Sequence, residues 1–175
     1  MNWNTSSLLC AMAMPWIQAT KVFLNQVAAL KIPMFGICFG HQLMAEAFGG
    51  KVEKSDKGWG VGIDSYQMGN VEQDVLVYHQ DQVVRLPESA KVRAHSDHCE
   101  YGALEYDFPA LSVQCHPEFT QGLVLDLLER GRSEFGDDKT NRAESQTEQA
   151  QLHNQQFAQH VVTFFQQHQR VNSEA

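Results

Sequence analysis

Pro33-Met34-Phe35-Gly36-Ile37-Cys38-Phe39-Gly40-His41-Gln42 is the stretch whose reading decides the fold. Met34 to Ile37 reads as a short buried strand. It runs into Gly36-Ile37-Cys38-Phe39-Gly40, a glycine, nucleophile, glycine pattern. Leu43, Met44, Ala47 and Phe48 then share one face of a helix that Gly49-Gly50 stops. Strand, sharp turn and helix in that order make a nucleophile elbow with cysteine at its tip. The turn forces its central residue into a strained conformation, and side chains at both flanking positions are expected to collide with it. The helix N-terminus behind the turn favours thiolate over thiol, so a depressed Cys38 pKa is expected. The backbone N–H of Phe39 points where an oxyanion would form. The competing reading is a small buried hydrophobe at the end of a core strand. It leaves the two glycines and the strand-to-helix context without a reason.

Working outward, Pro15 opens a helix that runs to about Leu30. Trp16, Thr20, Phe23, Leu24, Val27 and Leu30 recur at helical spacing and are expected to pack on a sheet. Residues 1–13 carry no assignable pattern. After the elbow helix, residues 51–65 read as strand, loop, strand. Val75 to Tyr78 is a short strand that ends in a loop around His79-Gln80-Asp81. Lys91 to Ala94, Gly102 to Tyr106 and Leu111 to Cys115 read as further strands. Thr120 caps a helix with the face Leu123, Val124, Leu127 and Leu128, and Gly131 is its expected stop. Residues 132–150 are polar and charge-mixed and read as a linker. Residues 151–170 form a last helix with the stripe Phe157, Val161, Phe164 and Phe165. The whole chain, 1–175, is expected to be one domain.

The composition narrows the function. A net charge of −8 without a basic stripe argues against nucleic acid as a partner. No apolar run approaches membrane-spanning length, and the apolar Leu8 to Met14 lacks the positive flank of a signal peptide. The four cysteines, Cys10, Cys38, Cys99 and Cys115, show no Cys-x-x-Cys spacing, so a reduced, cytoplasmic setting is the simpler expectation. Glycine at positions 58, 60 and 62 suits a strand edge better than a phosphate loop, since no strand-turn-helix surrounds it.

A partner for Cys38 comes from the far side of the chain. His116 and Glu118 follow the last strand, and in extended backbone residues two apart share a side. The carboxylate would fix the imidazole tautomer and leave the other ring nitrogen for sulfur. Cys38, His116 and Glu118 thus form a candidate triad. His95-Ser96-Asp97-His98-Cys99 holds zinc-type ligands, but its spacing fits no common zinc pattern and a polar loop explains it.

Phe35 to Gln42 and Val113-Gln114-Cys115-His116-Pro117-Glu118-Phe119 together resemble the two signatures of class I glutamine amidotransferases. Lys57 to Gly62 and Tyr78 to Val83 resemble intervening segments of the stand-alone, GMP-synthase-like branch. The resemblance covers roughly residues 14–131. It implies an α/β fold, doubly wound about a mostly parallel central sheet in the flavodoxin-like manner. It implies hydrolysis of glutamine, or of a γ-glutamyl compound, through a Cys38 thioester with His116 as proton carrier. Gln42, His79, Gln80 and Asp81 would lie near the substrate, and no metal and no cofactor is called for. A separate ammonia-accepting synthase subunit would be a fitting partner. The family's glycine-bearing loop before the elbow, which supplies a second oxyanion donor, is not visible in residues 1–37. The chain therefore reads as N-terminally shortened, with its first strand or strands absent. Self-association through an open sheet edge, and a fold that binds without turning over, are the accompanying expectations.

Overall fold

A computed structural model describes residues 14–172 of the chain. The expectations for residues 1–13, the absent glycine loop among them, and for Cys10 lie outside the described residues. In chain order the elements are α1 (Pro15–Ala29), β1 (Met34–Ile37), α2 (Phe39–Ala47), β2 (Lys51–Lys54), β3 (Gly60–Met68), β4 (Val71–His79) and β5 (Asp81–Arg85). There follow β6 (Ala90–Ala94), β7 (Ala103–Tyr106), β8 (Ala110–Val113), α3 (Gln121–Phe135), α4 (Asp137–Gln149) and α5 (Asn154–Asn172).

β1, β8, β7 and β6 form a four-stranded sheet in that order, while β2–β5 and β3–β4 pair as two-stranded ribbons. β1 runs parallel to β8 with Met34 opposite Ala110 and Ile37 opposite Val113. β7 is antiparallel to both β6 and β8. The central sheet is therefore mixed rather than mostly parallel. β6, β7 and β8 are consecutive and closely connected, and short connections reverse the chain; only the long excursion between β1 and β8 allows a parallel pair.

Helices cover both faces. Leu24, Val27 and Ala28 of α1 pack with Met34, Met44 and Ala45 on one side. On the other, Phe157 of α5 packs against a cluster of Tyr66, Val113 and Cys115 together with Phe35 and Ile37. Alternation along β1 sends Met34 to one layer and Phe35 to the other. The buried stripe of α1 differs from the expected one. Ile17 is fully buried, with Leu24, Val27 and Ala28 behind it, whereas Trp16, Phe23 and Leu30 are exposed. The helix is rotated so that Ile17 meets Leu43 of α2, while Leu24, Val27 and Ala28 meet the core around Met34.

Residues 132–150 are not a linker. α3 continues through Gly131 to Phe135, and Gly136, at φ +83°, separates it from α4. α4 buries only the small residues Thr140, Ala143 and Thr147, spaced one helical turn apart. It lies close on β3 at Gly62, where a Cβ would stand 2.8 Å from that of Ala143. Arg132 of α3 fastens the pair by hydrogen bonds to Asn141 and Glu144 of α4. Since no large apolar residue marks the buried face, its periodicity is invisible to hydrophobicity.

Candidate active site

The elbow forms as the glycine pattern requires. Cys38 takes φ +47°, ψ −102°, between the end of β1 and the first turn of α2. Such a conformation is costly for a residue with a Cβ and persists only where its surroundings hold it. Two backbone hydrogen bonds do so: Cys38 N–H donates to the Val113 carbonyl (2.8 Å), and Gln42 N–H donates to the Cys38 carbonyl (3.0 Å). The glycines differ in their reasons. A Cβ on Gly36 would stand 2.8 Å from the Gly40 carbonyl carbon and 2.6 Å from Met44 Sδ, whereas one on Gly40 would meet open space. The expected collision is thus confined to Gly36.

The parallel pairing of β1 with β8 carries the chain past Cys38 at Val113 and on to His116. β8 ends at Val113, and Pro117 and Glu118 lie in a turn rather than in extended backbone. His116 N–H donates to the Leu76 carbonyl of β4 (2.8 Å), and Phe119 N–H donates back to the His116 carbonyl (3.1 Å). Within the turn, His116 Nδ1–H donates to Glu118 Oε1 at 2.7 Å. The Phe119 ring stacks on the imidazole at 3.9 Å, tilted by 10°. The carboxylate therefore fixes the imidazole in its plane and the phenyl ring fixes it face-on. Asn154, at the start of α5, donates to the Phe119 carbonyl (2.7 Å) and ties that helix to the turn.

The electrostatics correct one expectation. Burial pushes the Cys38 thiol up to about 11, against the lowering effect of the Phe39 N–H; the negative charge of Glu118 adds to the rise and the Gln114 amide opposes it. One helix terminus does not outweigh the loss of solvent around the sulfur. Burial acts more strongly still on the other described thiols, taking Cys99 to about 12 and Cys115 higher. Cys38 remains the easiest of the three to ionise.

Gln42, His79 and Asp81 are buried rather than displayed on a loop. β4 and β5 are separated by Gln80 alone, whose carbonyl accepts from Ser55 N–H (2.8 Å). Gln42 donates from Nε2 to the Asp81 carbonyl (2.6 Å) and to Gln114 Oε1 (3.0 Å). Gln114, in turn, donates to Cys38 Sγ at 3.5 Å. His79 Nδ1 faces the Asp81 carbonyl at 3.2 Å, and burial drives its pKa down to about 3. His41, fully buried with Nδ1 at 2.8 Å from Ser112 Oγ, is likewise pushed by burial to about 3. Both imidazoles are neutral. His41, Gln114 and Phe119 all stand within the two motifs, yet nothing in residue type or spacing separated them from packing residues. In the 95–99 loop, Ser96 Oγ accepts from the N–H groups of His98 and Cys99, which accounts for the polar turn. Among the described residues no group of three or more His, Cys, Asp or Glu is placed to hold a metal ion. No helix among them is long and apolar enough to cross a membrane.

Comparison with known proteins gives concordant results. The sequence profile described as glutamine amidotransferase class-I matches residues 13–129. Gamma-glutamyl peptidase 5 of Arabidopsis thaliana is 29% identical over 129 residues, which cover 66% of this chain and 51% of the relative. The glutamine-hydrolysing GMP synthase subunit of Methanopyrus kandleri is 39% identical over 103 residues, 50% of this chain and 52% of the relative. The chain thus spans about half the length of these curated relatives. The crystal structure of a glutamine amido transferase from Methylobacillus flagellatus superimposes with a TM-score of 0.71 at 20% identity, covering 89% of this chain and 70% of that one. At that identity the likeness speaks for the fold.

Proposed function

The chain belongs to the class I glutamine amidotransferases, and from that membership we propose that it hydrolyses γ-glutamyl amides, glutamine being the simplest, with Cys38 as nucleophile. The observation that carries this reading is the parallel β1–β8 register: the strand that ends at the strained Cys38 lies level with the strand whose exit leads to the buttressed His116, and this supports pairing the two. Burial favours the thiol over the thiolate, so in this reading sulfur loses its proton in concert with attack rather than beforehand. The proton passes to the free nitrogen, Nε2, of His116 as sulfur bonds to the γ-carbonyl carbon. The resulting oxyanion is met by the Phe39 N–H, which already lies against the sulfur. Collapse breaks the carbon–nitrogen bond, and His116 returns the proton to the leaving nitrogen. Water, with His116 as base, then opens the thioester to glutamate and restores the thiol. Glu118 supports the imidazolium that forms twice in the cycle. Gln42, His79 and Asp81, buried and joined at the Asp81 carbonyl, and the neighbouring Gln80 are the groups assigned here to the substrate side of the elbow.

Two relatives named for different reactions, a γ-glutamyl peptidase and a glutamine-hydrolysing synthase component, share the γ-glutamyl group. That shared group is the substrate class proposed here. Ammonia released from glutamine would pass to a separate synthase subunit, whereas release of an amine from a γ-glutamyl peptide would need no such partner. The test is product release from glutamine and from a γ-glutamyl dipeptide, run beside labelling by a diazoketone analogue of glutamine. Glutamate formation with the analogue's mass on the Cys38 peptide is expected. A folded chain that hydrolyses neither substrate and leaves Cys38 unlabelled refutes the reading, and leaves the fold as a binding module.

A further inference from the structure

Two buried side-chain amides lie behind the nucleophile, and their order has a direction. Gln42 and Gln114 are both fully buried. Gln42 Nε2 sits 2.6 Å from the Asp81 carbonyl oxygen, which can only accept. That contact fixes which end of the Gln42 amide is nitrogen. The same nitrogen lies 3.0 Å from Gln114, so the Gln114 atom facing it must be oxygen. The remaining end of the Gln114 amide is then an N–H, and it lies 3.5 Å from Cys38 Sγ. The assignment of amide ends, normally a choice made from the network, is here dictated by a backbone carbonyl two links away. The three partners come from three places in the fold: the start of β5, the first half of α2, and the residue just past the end of β8.

We propose that the Asp81 carbonyl, Gln42 and Gln114 form a one-way amide relay whose purpose is to hold an N–H on the Cys38 sulfur, which makes Gln114 a positioning residue for the nucleophile. The proposal rests on Cys38 being that nucleophile. With its polarity fixed, the Gln114 amide cannot turn to accept from a thiol S–H, so it favours sulfur as an acceptor: the thiolate, or the sulfur as it loses its proton. A reversible amide would stabilise thiol and thiolate alike. The burial that raises the thiol so far makes one directed donor matter. Gln42, read from the sequence as a substrate contact, has its donor nitrogen committed to this relay and leaves only Oε1 for other work.

The experiment reads the rate of Cys38 alkylation by iodoacetamide against pH, followed by peptide mass spectrometry on the full chain. It needs no turnover. In Gln114→Glu, a near-isostere, the carboxylate still accepts from Gln42 but places oxygen on the sulfur. The alkylation profile should move up by about one pH unit, a roughly tenfold slower reaction at a fixed pH below the midpoint. Gln114→Met, which removes the donor without adding charge, should slow it about threefold. Gln42→Met, which frees Gln114 to rotate, should give a smaller change in the same direction. An unmoved Cys38 profile in folded Gln114→Glu overturns the proposal, and an unmoved profile in Gln42→Met overturns the relay. Should the variants not fold, the Gln114 side-chain amide resonance in the unaltered protein decides. It should shift with the same midpoint as Cys38 alkylation, and indifference to pH across that midpoint overturns the assignment. Absence of hydrolysis together with an intact relay signature would refute the proposed reaction, and with it the positioning role, while leaving the directed donor on the Cys38 sulfur established.

Discussion

Cys38 stands among groups that cannot move far: a strand end, a helix start, two buried amides and a glycine with no room for a methyl group. His116 and Glu118, just beyond the neighbouring strand's exit, stand in a turn, and the Glu118 side chain is 47% exposed. One half of the site holds its group by dense packing and excludes water, which raises the thiol. The other leaves the Glu118 carboxylate half-exposed and holds the imidazole by one short hydrogen bond and one stacked ring. The difference suits the division of labour. On the proposed mechanism a nucleophile must present one atom on one line, whereas a proton carrier becomes charged twice per turnover and is helped by solvent nearby.

If the halves differ in this way, disturbing them should give unequal effects. Cys38→Ala should lower hydrolysis of γ-glutamyl amides by ~10³-fold or more, read as glutamate release; retained turnover would place the nucleophile elsewhere. Gly36→Ala should lower the unfolding free energy by about 3 kcal/mol, because the new methyl group meets the Gly40 backbone. Gly40→Ala, facing open space, should cost under about 1 kcal/mol, and equal urea midpoints for the two would dissolve the contrast.

Acid should also strike the buried half. His41 and His79 have folded-state pKa values near 3 against an ordinary 6.5, so the unfolded chain takes up their protons first. Stability is full above pH 6.5 and falls as pH drops toward 3, by about 2 kcal/mol for each histidine between pH 7 and 5. Urea titrations at those two values measure it, and a flat response would mean that neither imidazole is held neutral. The smallest effect belongs to the exposed half. Glu118→Gln keeps a hydrogen-bond acceptor and removes a half-hydrated charge, so turnover should fall about tenfold with stability unchanged within about 0.5 kcal/mol. A loss equal to that of Cys38→Ala would show that Glu118 does more than steady His116.

The elbow, the strand before it and the helix after it were legible because glycine, apolar alternation and helical spacing all agree between residues 33 and 50. The family signatures brought His116 and Glu118 to the site, and the structure sets the pair in a turn instead of extended backbone. Three features escaped. The face of α1 was misjudged because bulky Trp16 and Phe23 outweigh Ile17 in any apolar pattern, yet it is Ile17 that is buried, against Leu43 of α2. α4 was missed because its buried face is Thr140, Ala143 and Thr147, chosen for closeness to Gly62 rather than for greasiness. The thiol's raised pKa was missed because a helix terminus can be read from a sequence and the loss of water around a sulfur cannot.

The β1–β8 pairing also sets a timetable. Ile37 and Val113 are neighbours across the sheet but far apart along the chain, so their contact closes a long loop and forms late relative to the β3–β4 hairpin, whose strands are joined by a tight turn. During synthesis Cys38 leaves the ribosome long before Val113, Gln114 and His116 have been made. Until they arrive it lacks the Val113 carbonyl that holds its N–H and the Gln114 amide that lies at its sulfur. If Cys38 is the nucleophile proposed, its reactivity is deferred until β8 and the turn after it are in place, and a chain interrupted before β8 carries an unarmed thiol.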